Sequence, residues 1–251
     1  MRADQLLVKL GLATSRTQAQ TFIKAHKVFY FEAGKKVFIQ KPAQELAEDI
    51  KLSMEPSEEQ KFVSRGGLKL QSALDYLNLN ISGFVCLDIG LSTGGFSDCL
   101  LQRGAQQVIG IDVGKEQLHT RLQAESKLIW FDKINARQLA AYPQVVETFP
   151  ADGFDLIVMD VSFISMTLIA QQLKAYLKPE SGRLLSLVKP QFELSPTALG
   201  KGGIVKDTKL YIDVETKIRS TLSENKFKII DYFDSKILGG DGNREFFVFA
   251  K

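Results

Sequence analysis

The sequence predicts an α/β fold in which a small α+β domain precedes a doubly wound, mostly parallel sheet of seven strands with an antiparallel last strand. From residue 84 onward, apolar strand patterns alternate with helical patterns, which is typical of a parallel sheet. A helix around 207–224 then precedes two strands that a Gly-rich turn connects, and strands joined so closely pair antiparallel. The predicted strands of this sheet cover residues 84–88, 108–112, 128–131, 155–160, 184–189, 228–235 and 245–250.

Two short helices are predicted at the start of the chain. Leu6, Leu7 and Leu10 fall on one face of the first helix, and a glycine follows them that can end it. The second helix begins at Ser15, whose spacing to Gln18 matches a capping box. Both helices are therefore expected to pack through one apolar face.

A hairpin is predicted after these helices. Residues 28–31 and 36–39 are apolar stretches on either side of a Glu-Ala-Gly-Lys turn, and residues 50–54 predict a further strand. The segment 56–62 begins with polar residues and is the predicted linker. We therefore expect a small domain over residues 1–55 and a large one over residues 63–251.

The charge of the chain is concentrated at its start. Residues 1–41 hold eight Lys and Arg residues against two acids, a balance of +6, so the remaining residues hold −3 of the net +3. A concentrated basic surface attracts polyanions, most often nucleic acid, although a charged helix face can also be merely solvated. The candidate RNA-binding residues are Arg2, Arg16, Gln20, Lys24, Lys27 and Arg65. Most of them recur at helical spacing on one face of the second predicted helix.

Composition also excludes several classes of protein. No apolar run approaches the roughly 18 residues of a membrane span, and the first residues do not begin a signal peptide, so we expect a soluble, cytoplasmic protein. Cys86 and Cys99 have neither a disulfide framework nor a metal-ligand spacing. With only His26 and His119 besides, we expect no metal site. The sequence does not indicate an oligomeric state.

A glycine-rich turn follows the first strand of the predicted sheet. It opens a helix, and the next strand ends in Asp112, 24 residues after Asp88, where an acid can bind ribose hydroxyls. A dinucleotide fingerprint needs a glycine where Ser92 stands, so the turn favours an adenosine cofactor without phosphates, S-adenosylmethionine. A turn used only for packing is the alternative. The candidate cofactor-binding residues are Asp88, Gly90, Ser92, Thr93, Gly94, Gly95, Phe96, Asp112 and Asp160.

Ionisable residues follow the ends of two predicted strands. Asp160 and Lys189 come directly after apolar runs, Glu245 opens the last strand, and Lys69 lies on the helix before the first strand. Two lysines and two carboxylates suit methyl transfer to a weakly acidic hydroxyl, such as a ribose 2′-OH. Lys189 is the candidate base or the charge that stabilises the oxyanion, the carboxylates orient it, and Lys69 supplies a second positive charge. Two ordinary surface ion pairs are the alternative.

Other methyl acceptors are less well supported by the residues after the fourth strand. Amino-group methylases usually carry Asn/Asp-Pro-Pro-aromatic there, whereas this chain has Asp-Val-Ser-Phe at residues 160–163. Cytosine carbon-five methylases need a nucleophilic cysteine, and neither cysteine falls at the tip of the fourth or fifth strand. Hydroxyl methylation therefore remains.

Seven ordered motifs resemble the TlyA family of ribosomal RNA ribose 2′-O-methyltransferases, which have an FtsJ-like catalytic domain of the Rossmann-like class. The motifs are SRGGLKL (64–70), DIGLSTGGF (88–96), NAR (135–137), DVSFIS (160–165), LVKPQFE (187–193), GKGGIV (200–205) and GNREFF (242–247). Residues 2 to about 54 resemble the RNA-binding fold named after small-subunit ribosomal protein four. The resemblance spans nearly the whole chain.

The resemblance implies specific residues and a specific substrate. It implies a Lys-Asp-Lys-Glu catalytic tetrad at Lys69, Asp160, Lys189 and Glu245, and it implies that Asn135 lies near the cofactor adenine. It also implies cytidine in ribosomal RNA as the target. The short N-terminus and the end after the last strand resemble the shorter family form, which is associated with large-subunit RNA.

The chain departs from the family pattern at three positions. His26 stands where the small domain usually has a glycine, Leu91 where the glycine turn usually has a small residue, and Arg244 where an apolar residue usually precedes the tetrad glutamate. Family members are often named haemolysins, so a membrane-damaging protein is one alternative function. A ribosome-binding module without catalysis is another, although all four tetrad positions are filled.

Overall fold

A computed structural model describes residues 1–13, 15–55, 61–240 and 242–251 of the chain. It contains two compact units, Met1–Lys61 and Phe62–Lys251. The predicted linker at 56–62 falls mostly on residues 56–60, which lie outside this description, so the domain bounds stay a prediction.

The first unit packs two helices with a three-stranded antiparallel sheet of order β2-β1-β3. The Ser15 hydroxyl accepts a hydrogen bond from the Gln18 amide at 3.2 Å, which confirms the expected helix start. The first helix ends before Leu10, which is therefore 45% exposed. The elements are α1 (Ala3–Lys9), α2 (Arg16–Lys24), β1 (Val28–Glu32), β2 (Lys35–Phe38) and β3 (Ser53–Met54).

The turn between α2 and β1 explains one departure from the family pattern. His26 has a φ of +53°, the left-handed conformation that favours glycine, and its amide donates to the Ile23 carbonyl at 3.0 Å. The turn between α2 and β1 therefore places a histidine in a conformation that glycine adopts most readily. The predicted strand over residues 50–54 is wrong in length, because only Ser53 and Met54 pair with β1.

The second unit is a seven-stranded sheet with helices on both faces, as expected. The strands are β4 (Val85–Ile89), β5 (Gln107–Ile111), β6 (Leu128–Phe131), β7 (Leu156–Met159), β8 (Arg183–Val188), β9 (Ile229–Asp234) and β10 (Phe246–Ala250). The helices are α3 (Arg65–Tyr76), α4 (Gly95–Gln102), α5 (Thr120–Gln123), α6 (Pro143–Val146), α7 (Thr167–Leu173), α8 (Pro190–Glu193) and α9 (Leu210–Glu224).

The strand order is β6-β5-β4-β7-β8-β10-β9. The last strand in sequence, β10, lies between β8 and β9 and is antiparallel to both, so it is the one reversed strand among those described. The antiparallel pairing of β9 with β10 confirms the predicted hairpin, whose connection spans residues 235–245. The order also reverses between β4 and β7, where open α/β sheets form a crevice for ligands.

Alternate residues of each strand face different helix layers. Leu87 and Ile89 belong to one apolar cluster, which includes residues of α7 and α9, and Cys86 belongs to a second cluster with residues of α3 and α4. Strands apolar on both faces are typical of a covered parallel sheet. The buried sheet therefore holds the strand ends in fixed positions.

Two departures from the family pattern are accommodated by neighbouring residues. Leu91 packs against Gly110, where an added Cβ would lie 2.8 Å from the leucine side chain, so the glycine makes room for it. The Arg244 guanidinium pairs with Asp234 at 2.6 Å and lies over the Tyr211 and Phe246 rings. Both substitutions therefore fit the fold.

Candidate active site

Two cavities open at the carboxyl ends of the central strands, one of about 600 Å³ and one of about 280 Å³. Four residues line both of them: Gly90, Ser92, Asp160 and Ser162. The switch in strand order between β4 and β7 produces this crevice. Two ligands bound side by side would therefore meet at these four residues.

Gly90 brings β4 and the segment after β7 together. Its φ of +86° favours glycine, and an added Cβ would lie 2.4 Å from the Asp160 carbonyl oxygen. The Asp160 amide donates to the Ile89 carbonyl at 3.0 Å. A side chain at position 90 would therefore displace the backbone that carries Asp160.

The Asp112 carboxylate holds the glycine turn in place. One oxygen accepts from the Ser92 amide at 2.7 Å and the other from the Gly114 amide at 2.6 Å. Because each carboxylate oxygen can accept more than one hydrogen bond, both keep capacity for ligand hydroxyls. Asp112 lines the larger cavity.

The larger cavity matches the size and chemistry of S-adenosylmethionine. Its volume lies within the range of small-molecule sites, roughly 300–1,000 Å³, and isoleucines form most of its apolar lining. Asp112, Asn135 and Asp160 supply polar groups. The Asn135 side chain accepts from the Arg137 amide at 3.0 Å, which fixes the loop that carries it. The cavity can thus enclose a flat base and bind a polar tail.

Lys189 and Asp160 form the first lysine–carboxylate pair of the site. The Lys189 Nζ lies 2.6 Å from an Asp160 oxygen and donates to the Ser162 hydroxyl at 2.9 Å. The two side chains are 12% and 20% exposed. Since β7 and β8 are parallel neighbours, the residues that follow them meet at one edge of the sheet.

Lys69 and Glu245 form the second pair. Lys69 on α3 donates to the carboxylate of Glu245, the residue before β10, at 2.5 Å. Their side chains are 10% and 3% exposed, so the contact is buried. Lys69 lines the smaller cavity together with Lys189 and Asp160. The predicted tetrad therefore forms two ion pairs, and three of its residues line this cavity.

The start of α3 forms the outer wall of the smaller cavity. Gly95 allows this approach, because an added Cβ would lie 2.1 Å from the Ser64 hydroxyl oxygen. Arg65 lines the cavity and is exposed, and so can meet a polyanion at its rim. Thr93, Gly95 and Phe96, predicted to bind cofactor, line this smaller cavity and not the larger one.

Two predicted cofactor-binding residues line neither of the two cavities. Asp88 is fully buried and accepts from the Ser97 hydroxyl at 2.6 Å, and burial raises the pKa of its carboxyl group to about 7. Gly94 precedes α4 with a φ of +91°, and an added Cβ would lie 2.4 Å from the Leu122 side chain. These two residues therefore shape the glycine turn without lining either cavity.

The sequence analysis did not identify a buried glutamate whose contacts join the segments that follow β7 and β8. We call this group of contacts the Glu193 brace. Glu193, in α8, has its side chain 2% exposed and accepts from the Met166 amide at 2.8 Å and from the Lys217 Nζ at 2.9 Å. It also contacts the Ser165 hydroxyl. The brace ties the segment after β7 to the segment after β8. A glutamate four residues after the tetrad lysine was the available signal.

The exposed Phe163 was also missed as a feature of the site. It lies three residues after Asp160, is 92% exposed and lines the larger cavity, and its φ is +64°. Its ring packs beside that of Phe192. A large apolar side chain so exposed at a cavity rim is available to a ligand.

The predicted RNA-binding residues of the first unit fall into two groups. Arg2, Arg16 and Gln20 all donate to the buried carboxylate of Asp4, at 2.9–3.3 Å. Lys24 is exposed and Lys27 is partly buried. The sixth candidate lies in the second unit.

Two classes of feature are absent from the part of the chain that the structure describes. Within these residues no helix is long and apolar enough to cross a membrane. Nor do they contain a group of three or more His, Cys, Asp or Glu side chains that could hold a metal ion.

Comparison with known proteins gives a consistent result. Residues 62–251 match a family model described as FtsJ-like methyltransferase. The chain is 34% identical over 250 residues to the 16S/23S rRNA (cytidine-2′-O)-methyltransferase TlyA of Mycobacterium tuberculosis, covering 100% of this chain and 89% of that protein. It is 34% identical over 249 residues to Hemolysin A of Brachyspira hyodysenteriae, covering 98% of each.

A solved structure from Streptococcus thermophilus, assigned by its name to the hemolysins, has a similar fold. It is 33% identical, with a TM-score of 0.69, and the match covers 100% of this chain and 87% of that one. The similarity therefore extends over both units of the chain.

Proposed function

Because this chain belongs to the FtsJ-like methyltransferase family, we propose that it transfers a methyl group from S-adenosylmethionine to the 2′-hydroxyl of a cytidine ribose in ribosomal RNA. The relative from Mycobacterium tuberculosis, named as a 16S/23S rRNA (cytidine-2′-O)-methyltransferase, supports this substrate. Large-subunit RNA is the favoured target, and the cytoplasm, where ribosomes are found, is the proposed location.

One observation carries the proposal. Two lysine–carboxylate pairs lie beside two adjoining cavities, and Asp160 lines both cavities. The larger cavity fits the cofactor, and the smaller one adjoins it at the position where an acceptor group has to lie. A site that only bound a cofactor would not need two lysines beside the second cavity.

The cofactor would be held by residues of the larger cavity. Asp112 would accept hydrogen bonds from the ribose hydroxyls, and Asn135 would lie beside the adenine. S-adenosylmethionine supplies an electrophilic methyl group bonded to a sulfonium sulfur. The Asp160 carboxylate, at the boundary of the two cavities, would hold the positively charged end of the ligand near the acceptor.

The acceptor oxygen needs to lose its proton to become a good nucleophile. Lys189 would accept the proton of the 2′-hydroxyl, or stabilise the developing oxyanion, as the oxygen forms its bond to the methyl carbon and the carbon–sulfur bond breaks. Asp160 and Ser162 fix the Lys189 Nζ. Lys69, held by Glu245, would add a second positive charge beside the oxygen.

Residues 1–41 of the first unit, which hold its excess of positive charge, would bind the RNA. Lys24 and Lys27, together with Arg2, Arg16 and Gln20, are its candidate contacts, and Arg65 would contact RNA at the mouth of the smaller cavity. Cationic side chains bind phosphates without reading sequence, so they position the substrate while the cavity selects the nucleotide.

Mapping ribose methylation tests this function directly. Ribosomal RNA from cells with and without the gene is compared at every cytidine of both subunits. We expect at least one cytidine, in large-subunit RNA, to lose its 2′-O-methyl group, and re-expression to restore it. Identical methylation in both strains would contradict the proposal. A lost small-subunit site alone would correct the target and keep the reaction.

Two alternatives have their own measurements. A membrane-damaging protein would release dye from liposomes at submicromolar protein, whereas a methyltransferase would not. A ribosome-binding module without catalysis would bind subunits but transfer no labelled methyl group from S-adenosylmethionine.

A further inference from the structure

Asp4 is a buried acid within residues 1–41, the segment of the first unit that holds the excess of positive charge. Its side chain is 0% exposed, yet its two oxygens accept four hydrogen bonds from three side chains. Arg2 binds it through both ends of the guanidinium fork, at 3.1 Å each, Arg16 at 3.3 Å and Gln20 at 2.9 Å. The carboxylate, which belongs to α1, therefore holds together Arg2, the residue before that helix, and two donors of α2.

This cluster keeps an excess of positive charge. Two guanidinium groups share one carboxylate, and the hydrogen bonds from Arg2 hold the pKa of Asp4 well below its usual range, so the carboxylate stays ionised. The arginine side chains remain 38% and 54% exposed, whereas the acid is fully covered. An incoming anion therefore meets the two cations and not the carboxylate between them.

An ordinary surface pair in the same unit provides the contrast. Lys9 and Glu48 form an ion pair at 2.6 Å with side chains that are 55% and 58% exposed. Such exposed pairs order their side chains weakly. A buried carboxylate, in contrast, immobilises each guanidinium before any ligand arrives, and ordering a long side chain in advance removes part of the cost of binding.

We propose that Asp4 is a positioning residue for RNA: it fixes Arg2 and Arg16 as one preorganised site for backbone phosphate. The inference rests on the proposed function, since ribosomal RNA is the polyanion. A guanidinium carries five N–H donors, so those of Arg2 and Arg16 that do not face Asp4 can pair with two phosphate oxygens at once, which a lysine ammonium cannot do in that planar geometry. The geometry therefore distinguishes this pair from the general positive charge of Lys24.

The proposal makes a prediction with the opposite sign to simple electrostatics. Replacing Asp4 with Asn removes a negative charge from an RNA-binding surface, so charge counting alone predicts tighter binding. If Asp4 positions the arginines, Asp4→Asn weakens binding, because an amide oxygen holds them less firmly. We expect a loss of about tenfold, because each freed arginine side chain has to be ordered again on binding.

Filter binding of the full-length protein to transcribed large-subunit ribosomal RNA, across a range of KCl concentrations, measures this. The variants are Asp4→Asn and the charge-conserving Arg16→Lys, with Glu48→Gln as the matched control that removes an exposed carboxylate. We expect weaker binding for the first two, with a salt slope for Arg16→Lys close to that of the unmodified protein, because the charge is kept. Glu48→Gln should bind equally well or slightly tighter.

Thermal unfolding identifies any variant that fails to fold. If Asp4→Asn unfolds, Arg16→Lys still tests the inference, because it alters a half-exposed side chain. Folded Asp4→Asn that binds as tightly as the unmodified protein, or tighter, would overturn the inference. So would Arg16→Lys with unchanged affinity, in which case the cluster only stabilises the fold. If the unmodified protein does not bind ribosomal RNA, the proposed function fails instead.

Discussion

The Lys69 Nζ lies 2.5 Å from the Glu245 Oε2, which joins a helix before the first strand of the large sheet to the start of its reversed strand. Both side chains are almost fully covered. A buried ion pair gives little net stability over an apolar pair, but removal of one partner leaves an uncompensated charge. The contribution of this contact to protein stability can therefore be measured separately from its role in catalysis.

Single and double substitutions make that separation. Glu245→Gln should lower the free energy of unfolding by about 3 kcal/mol, because Lys69 loses its counter-charge in a covered position. Lys69→Met with Glu245→Gln should recover most of that stability and still fail to transfer methyl groups. Urea unfolding and a methyl-transfer assay measure both. A stable double variant that transfers methyl groups as fast as the unmodified protein would show that this pair takes no part in the mechanism.

Asp112 should control cofactor affinity. An Asp112→Asn side chain has one oxygen for the two amides that the carboxylate binds, so the turn at Ser92 or the loop at Gly114 loses its anchor. We expect S-adenosylmethionine binding to weaken about tenfold or more, since hydrogen bonds to charged groups contribute about 1.5–3 kcal/mol. Calorimetry measures this. Asp132→Asn is the control, because Asp132 also accepts a backbone amide, from Glu116.

The Glu193 brace should support turnover from behind the site. Lys217→Met leaves Glu193 covered without its cation, and we expect a loss of about 2 kcal/mol in unfolding free energy together with a lower kcat at unchanged cofactor affinity. Arg219→Met, on the same helix, removes an exposed pair with Glu215 and a contact with the face of the Tyr232 ring, and should cost at most about 1 kcal/mol. Equal effects of the two substitutions would show that the brace is an ordinary surface contact.

Asp88 should make stability depend on pH. Burial raises its pKa from an ordinary 3.8 to about 7. The folded state therefore binds this proton more tightly than the unfolded state, so its contribution to stability falls as pH rises from about 4 to 7 and is constant above that. Asp88→Asn should remove this fall, worth up to about 4 kcal/mol at pH 8. Unfolding curves for both proteins that run parallel from pH 5 to 8 would contradict it.

The strand pattern predicted much of the site, because parallel strands bring their carboxyl ends to one edge. Asp160 and Lys189 each follow an apolar run, and position in the sheet alone predicts that they meet. The capped start of α2 was likewise predictable from Ser15 and Gln18, since capping depends on neighbours in sequence.

Most of the contacts that could not be predicted join residues far apart in sequence. Glu193 and Lys217 lie 24 residues apart, and no periodicity specifies which cation covers a buried glutamate. The Asp4 cluster was missed for a different reason: its members are close in sequence, but an acid among basic residues looks like one more surface charge. The place of β10 inside the sheet also depends on packing of the whole sheet and not on the hairpin alone.

The central claim is that Lys189 acts directly on the acceptor hydroxyl, and a methyl-transfer assay tests this claim. Lys178→Ala is the matched control, because Lys178 pairs with Asp155 at 2.8 Å, at the opposite ends of the same two strands. Tritiated methyl transfer from S-adenosylmethionine to ribosomal subunits is measured for three folded variants: Lys189→Ala, Lys189→Arg and Lys178→Ala. We expect the rate of methyl transfer to fall by about 10²–10⁴ in Lys189→Ala and to be unchanged in Lys178→Ala. Lys189→Arg should also be inactive, because a guanidinium stays protonated and cannot accept the proton of the hydroxyl. Rates near that of the unmodified protein for Lys189→Ala would contradict the account.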